Sequence, residues 1–226
     1  MSGIYLLSLN TQQSSPIPKS NRELSDEAIF LERTLCGEAG GIQDQIAAAF
    51  GGLNRIEFNE HGYTVNPLIV SSARKRELNE NLIMFFTGFS RFSDEIQTGI
   101  QSTLGEKTKQ LLEMKRLVYE AEDILNSKKD MDEFGKLLDY TWKLKRGLSP
   151  KISTDTIDGI YDVALKNGAI GGKLLGAGGG GFLVFYCEKE KQPSLVDALR
   201  GLLRVPFEFE ADGTRVIFYT PEDYER

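Results

Sequence analysis

Residues 168–182 contain the densest glycine cluster of the chain and read Gly168-Ala169-Ile170-Gly171-Gly172-Lys173-Leu174-Leu175-Gly176-Ala177-Gly178-Gly179-Gly180-Gly181-Phe182. Its glycine-rich centre, 176–181, lies between two stretches that contain the apolar residues, 169–175 and 182–187. Short apolar runs bounded by glycines are typical of strands. The stretch therefore predicts a strand, a glycine loop and a second strand.

The run 176–181 also satisfies the spacing G-x-G-x-x-G. In a dinucleotide-binding site that fingerprint opens a helix, whereas a strand is predicted here after Gly181. A Walker A loop is excluded as well, because Gly172-Lys173 is followed by Leu174 rather than by Ser or Thr. Two interpretations stay open: a loop whose backbone N–H groups approach an anion, or a close-packed β connection without a ligand.

Outward from this cluster, segments of helical and strand periodicity alternate, which predicts an α+β fold with an antiparallel sheet and its helices stacked on one face. Helices are expected at 22–35, 42–50, 108–127, 131–145, 154–167 and 194–203, with helical sequence also resuming at Ser93. Strands are expected at 53–58, 63–70, 81–87, 169–175, 182–187, 207–210 and 214–219. Residues 10–21, rich in proline and small polar side chains, are predicted to be a loop.

Composition narrows the function classes. The 226 residues carry 27 Lys and Arg against 33 Asp and Glu, a net charge of −6, which argues against a nucleic-acid partner. Two cysteines and one histidine leave no material for a disulfide framework or a Cys/His metal site. No apolar run is long enough to cross a bilayer, and the N-terminus lacks the basic flank of a signal peptide. We expect a cytoplasmic protein without a membrane partner.

A second candidate site is the stretch Gly40-Gly41-Ile42-Gln43-Asp44-Gln45 at the predicted start of a helix. An ionised aspartate there is stabilised by the helix dipole and could accept or orient the proton of a hydroxyl. Glu32 lies twelve residues earlier and could approach the same glycine break. The competing interpretation is that Asp44 only helps the helix to begin and that Glu32 is an exposed helix residue.

Taken together, these motifs resemble the GHMP small-molecule kinase superfamily and, within it, the sugar kinases typified by D-glycero-D-manno-heptose 7-phosphate (and 1-phosphate) kinases. Residues 41–45, followed by Ala47-Ala48-Ala49-Phe50-Gly51-Gly52-Leu53-Asn54, resemble one motif of that group. Residues 168–182 resemble its third motif, and 87–91 and 142–146 match further stretches. The resemblance runs from about Arg22 to Tyr219.

The resemblance implies transfer of the γ-phosphoryl group of ATP to a small-molecule hydroxyl, with Mg²⁺ and a sugar phosphate as substrate. Asp44 matches the family's base or orienting aspartate, and Glu32 matches a glutamate that helps to hold magnesium. The loop that shapes the site beside the phosphates corresponds to Gly176, Ala177, Gly178, Gly179, Gly180 and Gly181.

The resemblance also has a gap. Relatives begin with a strand-rich segment and a Gly-Leu-Gly-Ser-Ser-type loop that binds the phosphates of ATP, and residues 1–21 match neither. We therefore expect residues 1–75 to be a partial N-terminal GHMP kinase domain without that loop. Residues 76–226 are expected to form a ferredoxin-like C-terminal domain.

Three functional hypotheses follow. The chain is a sugar kinase, or its C-terminal part, completed by a separate N-terminal polypeptide or accompanied by self-association. Alternatively, it is a non-catalytic GHMP-fold module that binds a sugar phosphate or a partner, or an α+β interaction domain without a small ligand.

Overall fold

The computed structural model describes residues 19–38, 40–88, 105 and 107–215. Most of the expected loop at 10–21, the start of the helical stretch expected from Ser93 and most of the expected 214–219 strand lie outside these residues. The chain divides into two compact units: one runs to Pro67 and is rejoined by the chain from Glu210, and the other is Leu68–Phe209. The division into 1–75 and 76–226 stays a prediction about evolutionary domains.

The first unit contains two helices and a hairpin. Helix α1 (Asn21–Phe30) begins at a capping box, in which Ser20 and Glu23 satisfy each other's backbone N–H groups, and it continues as a π-helical turn at Leu31–Leu35. Helix α2 (Gln43–Phe50) ends at Gly51. Strands β1 (Asn54–Asn59) and β2 (Gly62–Pro67) pair in antiparallel register.

A polar network joins α1 to this hairpin. The hydroxyl groups of Ser25 and Tyr63 are hydrogen-bonded in the interior, and Tyr63 Oη also donates to Asp26 at 2.8 Å. Arg22 lies over the Tyr63 ring, 3.6 Å from its centroid, and donates to the Tyr63 carbonyl oxygen at 2.8 Å. Tyr63 is only 7% exposed, and the one buried residue of α1 is Ser25. Helix α1 is therefore held against the hairpin mainly by these polar contacts.

The second unit is built on a four-stranded antiparallel sheet. Its strands are β3 (Leu82–Phe86), β4 (Gly171–Leu174), β5 (Phe182–Tyr186) and β6 (Leu203–Val205), in the order β4-β5-β3-β6. Its helices are α3 (Ser72–Asn81), α4 (Thr108–Asn126), α5 (Asp132–Arg146), α6 (Asp155–Lys166) and α7 (Gln192–Ala198). Numbered from β3, the order of the strands is 2-3-1-4, and all neighbours are antiparallel. This is the expected ferredoxin-like arrangement, so the predicted α+β fold is confirmed.

Helices cover both faces of this sheet, which corrects the expectation that they stack on one face. Phe185 and Tyr186 are both fully buried although neighbouring strand residues point to opposite faces. The Phe185 ring contacts Tyr161 of α6, with centroids 5.6 Å apart. On the other face, Tyr186 packs against α5 at Gly135.

The structure differs from the sequence analysis in three places: one helix was not predicted, and two expectations were wrong. Helix α3 was not predicted, because its sequence is almost entirely polar and buries only Leu78. The helix expected to reach Leu203 ends at Ala198, and Leu203–Val205 instead pairs with β3. Residues 207–210 form no strand. Phe209 is half-buried and packs against an apolar cluster, and its N–H donates to Asn79 Oδ1, so the alternation there does not reflect strand pairing.

Within the described residues, no helix combines the length and the apolar character that crossing a bilayer requires.

Candidate functional site

Asp44, one of the two residues predicted from the sequence to lie in the site, is in the first turn of α2. Ile42, the residue before the helix, provides no side-chain cap. No capping side chain therefore accepts a hydrogen bond from the N–H groups of the first turn. Asp44 is exposed, and its carboxylate has no hydrogen-bond or ion-pair partner among the described residues. An exposed carboxylate at this end of a helix can accept a proton from a bound hydroxyl group.

Glu32 lies in the π-helical turn that continues α1. The backbone N–H of Cys36 donates to the Leu31 carbonyl oxygen at 2.8 Å, five residues back, and the N–H of Glu38 donates to the Glu32 carbonyl oxygen at 2.9 Å. The sequence predicted an ordinary helix over this turn. Single π-helical turns occur frequently at functional sites, where they change the direction in which side chains project.

Gln45 connects the two predicted residues and was quoted in the motif without a role. It follows Asp44 directly, it is 9% exposed, and its Nε2 group donates a hydrogen bond to a carboxylate oxygen of Glu32. Its Oε1 atom is buried and has no partner among the described residues. The one signal in the sequence is that Gln45 directly follows Asp44. A polar side chain that is buried at such a position is expected to be hydrogen-bonded.

The glycine loop lies in the second unit, between β4 and β5, as predicted. The N–H of Leu175 donates to the Phe182 carbonyl oxygen at 2.8 Å and closes the hairpin. The N–H of Gly179 donates to the Ile152 carbonyl oxygen at 2.9 Å, and the ammonium group of Lys145 donates to the Gly176 carbonyl oxygen at 2.5 Å. The loop is thus held by residues of two other segments.

Thr87 holds the far end of the same loop. Its hydroxyl donates to the Gly181 carbonyl oxygen at 2.9 Å and accepts from the Gly181 N–H at 3.0 Å. The N–H of Thr87 donates to the same carbonyl oxygen at 2.8 Å. Thr87 belongs to a stretch that resembles the kinase family, but this contact could not be inferred from spacing because 94 residues separate the partners.

Four amide groups of the loop are left without an acceptor among the described residues: those of Gly176, Ala177, Gly178 and Gly180. Several glycines of the loop have positive φ angles, and the φ angle of Gly178 is +130°. A Cβ atom at Gly178 would also lie 2.8 Å from the Ile152 carbonyl oxygen. Successive unpaired N–H groups in such a turn can bind an anion, as the first interpretation of the loop required.

One region of the chain matches a known family model. Residues 117–204 match the family described as GHMP kinases C terminal. This region is a GHMP kinase C-terminal domain.

Individual relatives point the same way. The chain is similar to D-glycero-alpha-D-manno-heptose 7-phosphate kinase from Campylobacter jejuni, at 34% identity over 187 residues, covering 81% of this chain and 55% of that protein. It is 30% identical over 189 residues to the bifunctional fucokinase/GDP-fucose pyrophosphorylase of Arabidopsis thaliana, covering 78% of this chain and 17% of the relative. The crystal structure of a D-glycero-D-manno-heptose 1-phosphate kinase from Bacteroides thetaiotaomicron superposes with a TM-score of 0.57 at 30% identity, over 87% of this chain and 55% of that one.

The chain therefore spans about half the length of the heptose phosphate kinase relatives that it matches. Its resemblance to GHMP sugar kinases, stated from two motifs, is confirmed by relatives that cover most of the chain. The roles of individual residues remain predictions.

Proposed function

We propose that this chain is a GHMP sugar kinase, or the C-terminal part of one, that phosphorylates a sugar of the heptose phosphate type with ATP. The observation that carries the proposal is the exposed, unpartnered carboxylate of Asp44 in the first turn of α2, in a chain that is 34% identical to a heptose 7-phosphate kinase. We also propose a cytoplasmic location, as expected for an enzyme whose substrates are ATP and a sugar phosphate.

In this proposal Asp44 accepts the proton of the attacking sugar hydroxyl. The hydroxyl oxygen forms a bond to the γ-phosphorus of ATP, the bond from that phosphorus to the bridging oxygen breaks, and ADP leaves. General-base assistance of this kind contributes about 10²–10⁴-fold to a rate. The unpaired amide groups of the glycine loop, at Gly176, Ala177, Gly178 and Gly180, would donate to phosphate oxygens.

The residues near Asp44 fit a magnesium ion. Mg²⁺ is usually held by one or two carboxylates together with substrate phosphates and water, rather than by a dedicated protein cage. The described residues contain no group of three or more acidic, histidine or cysteine side chains that could hold a metal ion alone. Glu32 would supply one carboxylate, and the buried, unpartnered Gln45 Oε1 atom shows that a hard oxygen acceptor lies beside it. When bound, the ion would neutralise charge on the phosphates.

A second candidate function is a non-catalytic GHMP-fold module that binds a sugar phosphate or a partner. The observation that favours it is the set of unpaired amide groups in the glycine loop, which can bind a phosphate group without any phosphoryl transfer. Phosphoryl transfer needs further positioning and charge stabilisation around the phosphates of ATP, so binding of a sugar phosphate does not by itself imply turnover. We also propose that the chain acts together with a separate N-terminal polypeptide or by self-association.

The two functions are separated by restoring the N-terminal part. The chain would be fused to, or co-expressed with, the part of the Campylobacter jejuni relative that it does not cover, and assayed with ATP, Mg²⁺ and D-glycero-D-manno-heptose 7-phosphate. Formation of ADP together with a doubly phosphorylated heptose is expected. Binding of the heptose phosphate without ADP formation, in a restored protein that also binds ATP, would favour the non-catalytic module. Sedimentation of the chain with and without the added part tests the proposed association.

A further inference from the structure

Gln45 takes no part in the proposed phosphoryl transfer itself, yet its side chain is more deeply buried than that of Asp44 or Glu32. Its exposed fraction is 9%, whereas Asp44 is exposed and Glu32 is half-buried. Burying an amide costs free energy unless both its donor and its acceptor are hydrogen-bonded. Gln45 is buried with one of these groups unpaired, and it lies in the motif that contains Asp44. Packing alone does not explain a polar residue at this position.

The donor side of the amide points to an orienting role. Gln45 Nε2 donates to the carboxylate of Glu32, 13 residues earlier, and so joins the first turn of α2 to the π-helical turn after α1. A glutamate side chain has several rotatable bonds and loses up to about 2 kcal/mol of conformational freedom when it is fixed. A hydrogen bond from a buried, rigid partner lowers the cost of holding that carboxylate in one orientation for a ligand.

The acceptor side of the amide lacks a partner. Gln45 Oε1 is buried and receives no hydrogen bond from the described residues. Leaving such an acceptor unpaired costs about 1–3 kcal/mol, so a bound group that donates a hydrogen bond to it is favoured by a similar amount. A hydrated magnesium ion at Glu32 would carry water molecules whose protons need such an acceptor.

We propose that Gln45 is a positioning residue for the magnesium-holding carboxylate: its amide group orients Glu32, and its carbonyl oxygen accepts a hydrogen bond from the water shell of the ion. The inference deepens the proposed function and rests on it. Removing a residue that is hydrogen-bonded to a metal ligand typically lowers metal affinity 10–100-fold.

The test uses the full 226-residue chain and Mn²⁺ alone as the probe for the magnesium position. Free Mn²⁺ is measured by electron paramagnetic resonance during titration of wild type, Gln45→Met, Gln43→Met and Glu32→Gln. Gln45→Met keeps the length of the side chain but removes both polar atoms, and Gln43→Met makes the same change at an exposed position of the same helix. We expect Gln45→Met and Glu32→Gln to weaken Mn²⁺ binding by at least tenfold, with Gln43→Met unchanged.

Two results would overturn the inference, and they differ in what they leave standing. Wild-type affinity in Gln45→Met together with weakened binding in Glu32→Gln would show that Gln45 only packs, and the proposed function would stand. Unchanged binding in both variants would remove the metal role of Glu32 and the inference with it, while phosphoryl transfer in the restored enzyme still judges the kinase function separately.

A second pair of variants covers the case in which Gln45→Met does not fold. Gln45→Glu places a second carboxylate beside Glu32, and Gln43→Glu adds the same charge at the exposed site. If Gln45 faces the ion, Mn²⁺ should raise the thermal unfolding midpoint of Gln45→Glu by more than that of Gln43→Glu. Equal shifts in the two variants would contradict the proposal.

Discussion

The two compact units of this chain differ in how many apolar side chains they bury. Among the described residues, the first unit buries the apolar side chains Ile46, Ala49 and Tyr63, while the other buried apolar residues lie in Leu68–Phe209, where Trp142 and Phe185 are fully inaccessible. The first unit instead carries Asp44 and Glu32, the two carboxylates to which the proposed function assigns the chemistry. The second contributes the glycine loop, whose backbone shape rather than its side chains would act on a ligand.

This difference indicates how each unit should respond to mutation. Burial of apolar area is the main stabilising term in folding. A substitution that strains the backbone next to a large core disturbs this packing and lowers the free energy of unfolding. Exposed carboxylates contribute little to stability and can change without unfolding the protein. Substitutions in the first unit are therefore expected to alter rate or binding, and substitutions around the loop to alter the free energy of unfolding.

The largest expected effect is that of Asp44→Asn in the restored enzyme. The substitution keeps the shape of the side chain but removes its charge and most of its basicity, so turnover should fall about 10²–10⁴-fold. Because Asp44 is exposed and unpartnered among the described residues, the free energy of unfolding should change by less than about 0.5 kcal/mol. Steady-state kinetics and urea titration check the two parts.

Asp162→Asn is the matched control, since Asp162 is an exposed helix residue of the second unit. It should change neither rate nor stability. Full turnover in Asp44→Asn would show that Asp44 only helps α2 to begin, and the assignment of chemistry to the first unit would be wrong.

A smaller effect of the opposite kind is expected for alanine in the glycine loop. Gly178 has a φ of +130° and lies against the backbone of Ile152, whereas Gly176 has a φ of +74° with open space where a Cβ would be. Gly176→Ala should cost about 1–2 kcal/mol, the penalty of the left-handed region. Gly178→Ala should cost more, because about 1–3 kcal/mol of backbone strain adds to a clash with Ile152.

Urea titration of the two variants measures this difference. Equal losses would mean that the loop moves away from Ile152 freely, and that the second unit does not fix its shape. A larger loss in Gly176→Ala would reverse the assignment of the tight position.

Sequence reasoning succeeded where local patterns decide the structure. The strand–loop–strand at 171–186 was predicted because apolar runs bounded by glycines have few alternatives. Helix α3 was missed because its polar sequence carries no periodic signal, and its formation depends on the Ser71 cap and on the burial of Leu78.

The site shows the same limit. Asp44 and Glu32 were singled out from the motif and its resemblance, and the structure joins their neighbourhoods through Gln45. The loop anchors Thr87, Lys145 and Ile152 were not predicted, because the contacts that make them anchors join segments far apart in the sequence. Such contacts follow from tertiary packing, which single-sequence periodicity does not encode.

The smallest expected effect compares the same residue type in the two units. Cys36 of the first unit is exposed, and Cys187 of the second is buried in the core cluster beside Phe185. Burial raises the pKa of the Cys187 thiol to about 11 from a usual value of 9.0, with nearby Lys191 acting in the opposite direction. The folded state therefore retains a proton that the unfolded chain releases, so this contribution to stability is complete below about pH 9 and is lost as the pH rises toward 11.

Urea titrations at pH 7.5, 9 and 10 under reducing conditions should show this loss in wild type and in Cys36→Ala. Cys187→Ala should be less stable at pH 7.5, because it leaves a small cavity, but its stability should fall less steeply between pH 9 and 10. Burial also raises the pKa values of Tyr161 and Tyr186, and their contribution to the loss begins near pH 10 in all variants. Parallel pH profiles for Cys187→Ala and Cys36→Ala would mean that the thiol of Cys187 ionises as readily in the folded state as in the unfolded chain, and the core of the second unit would then be more accessible to water than its packing indicates.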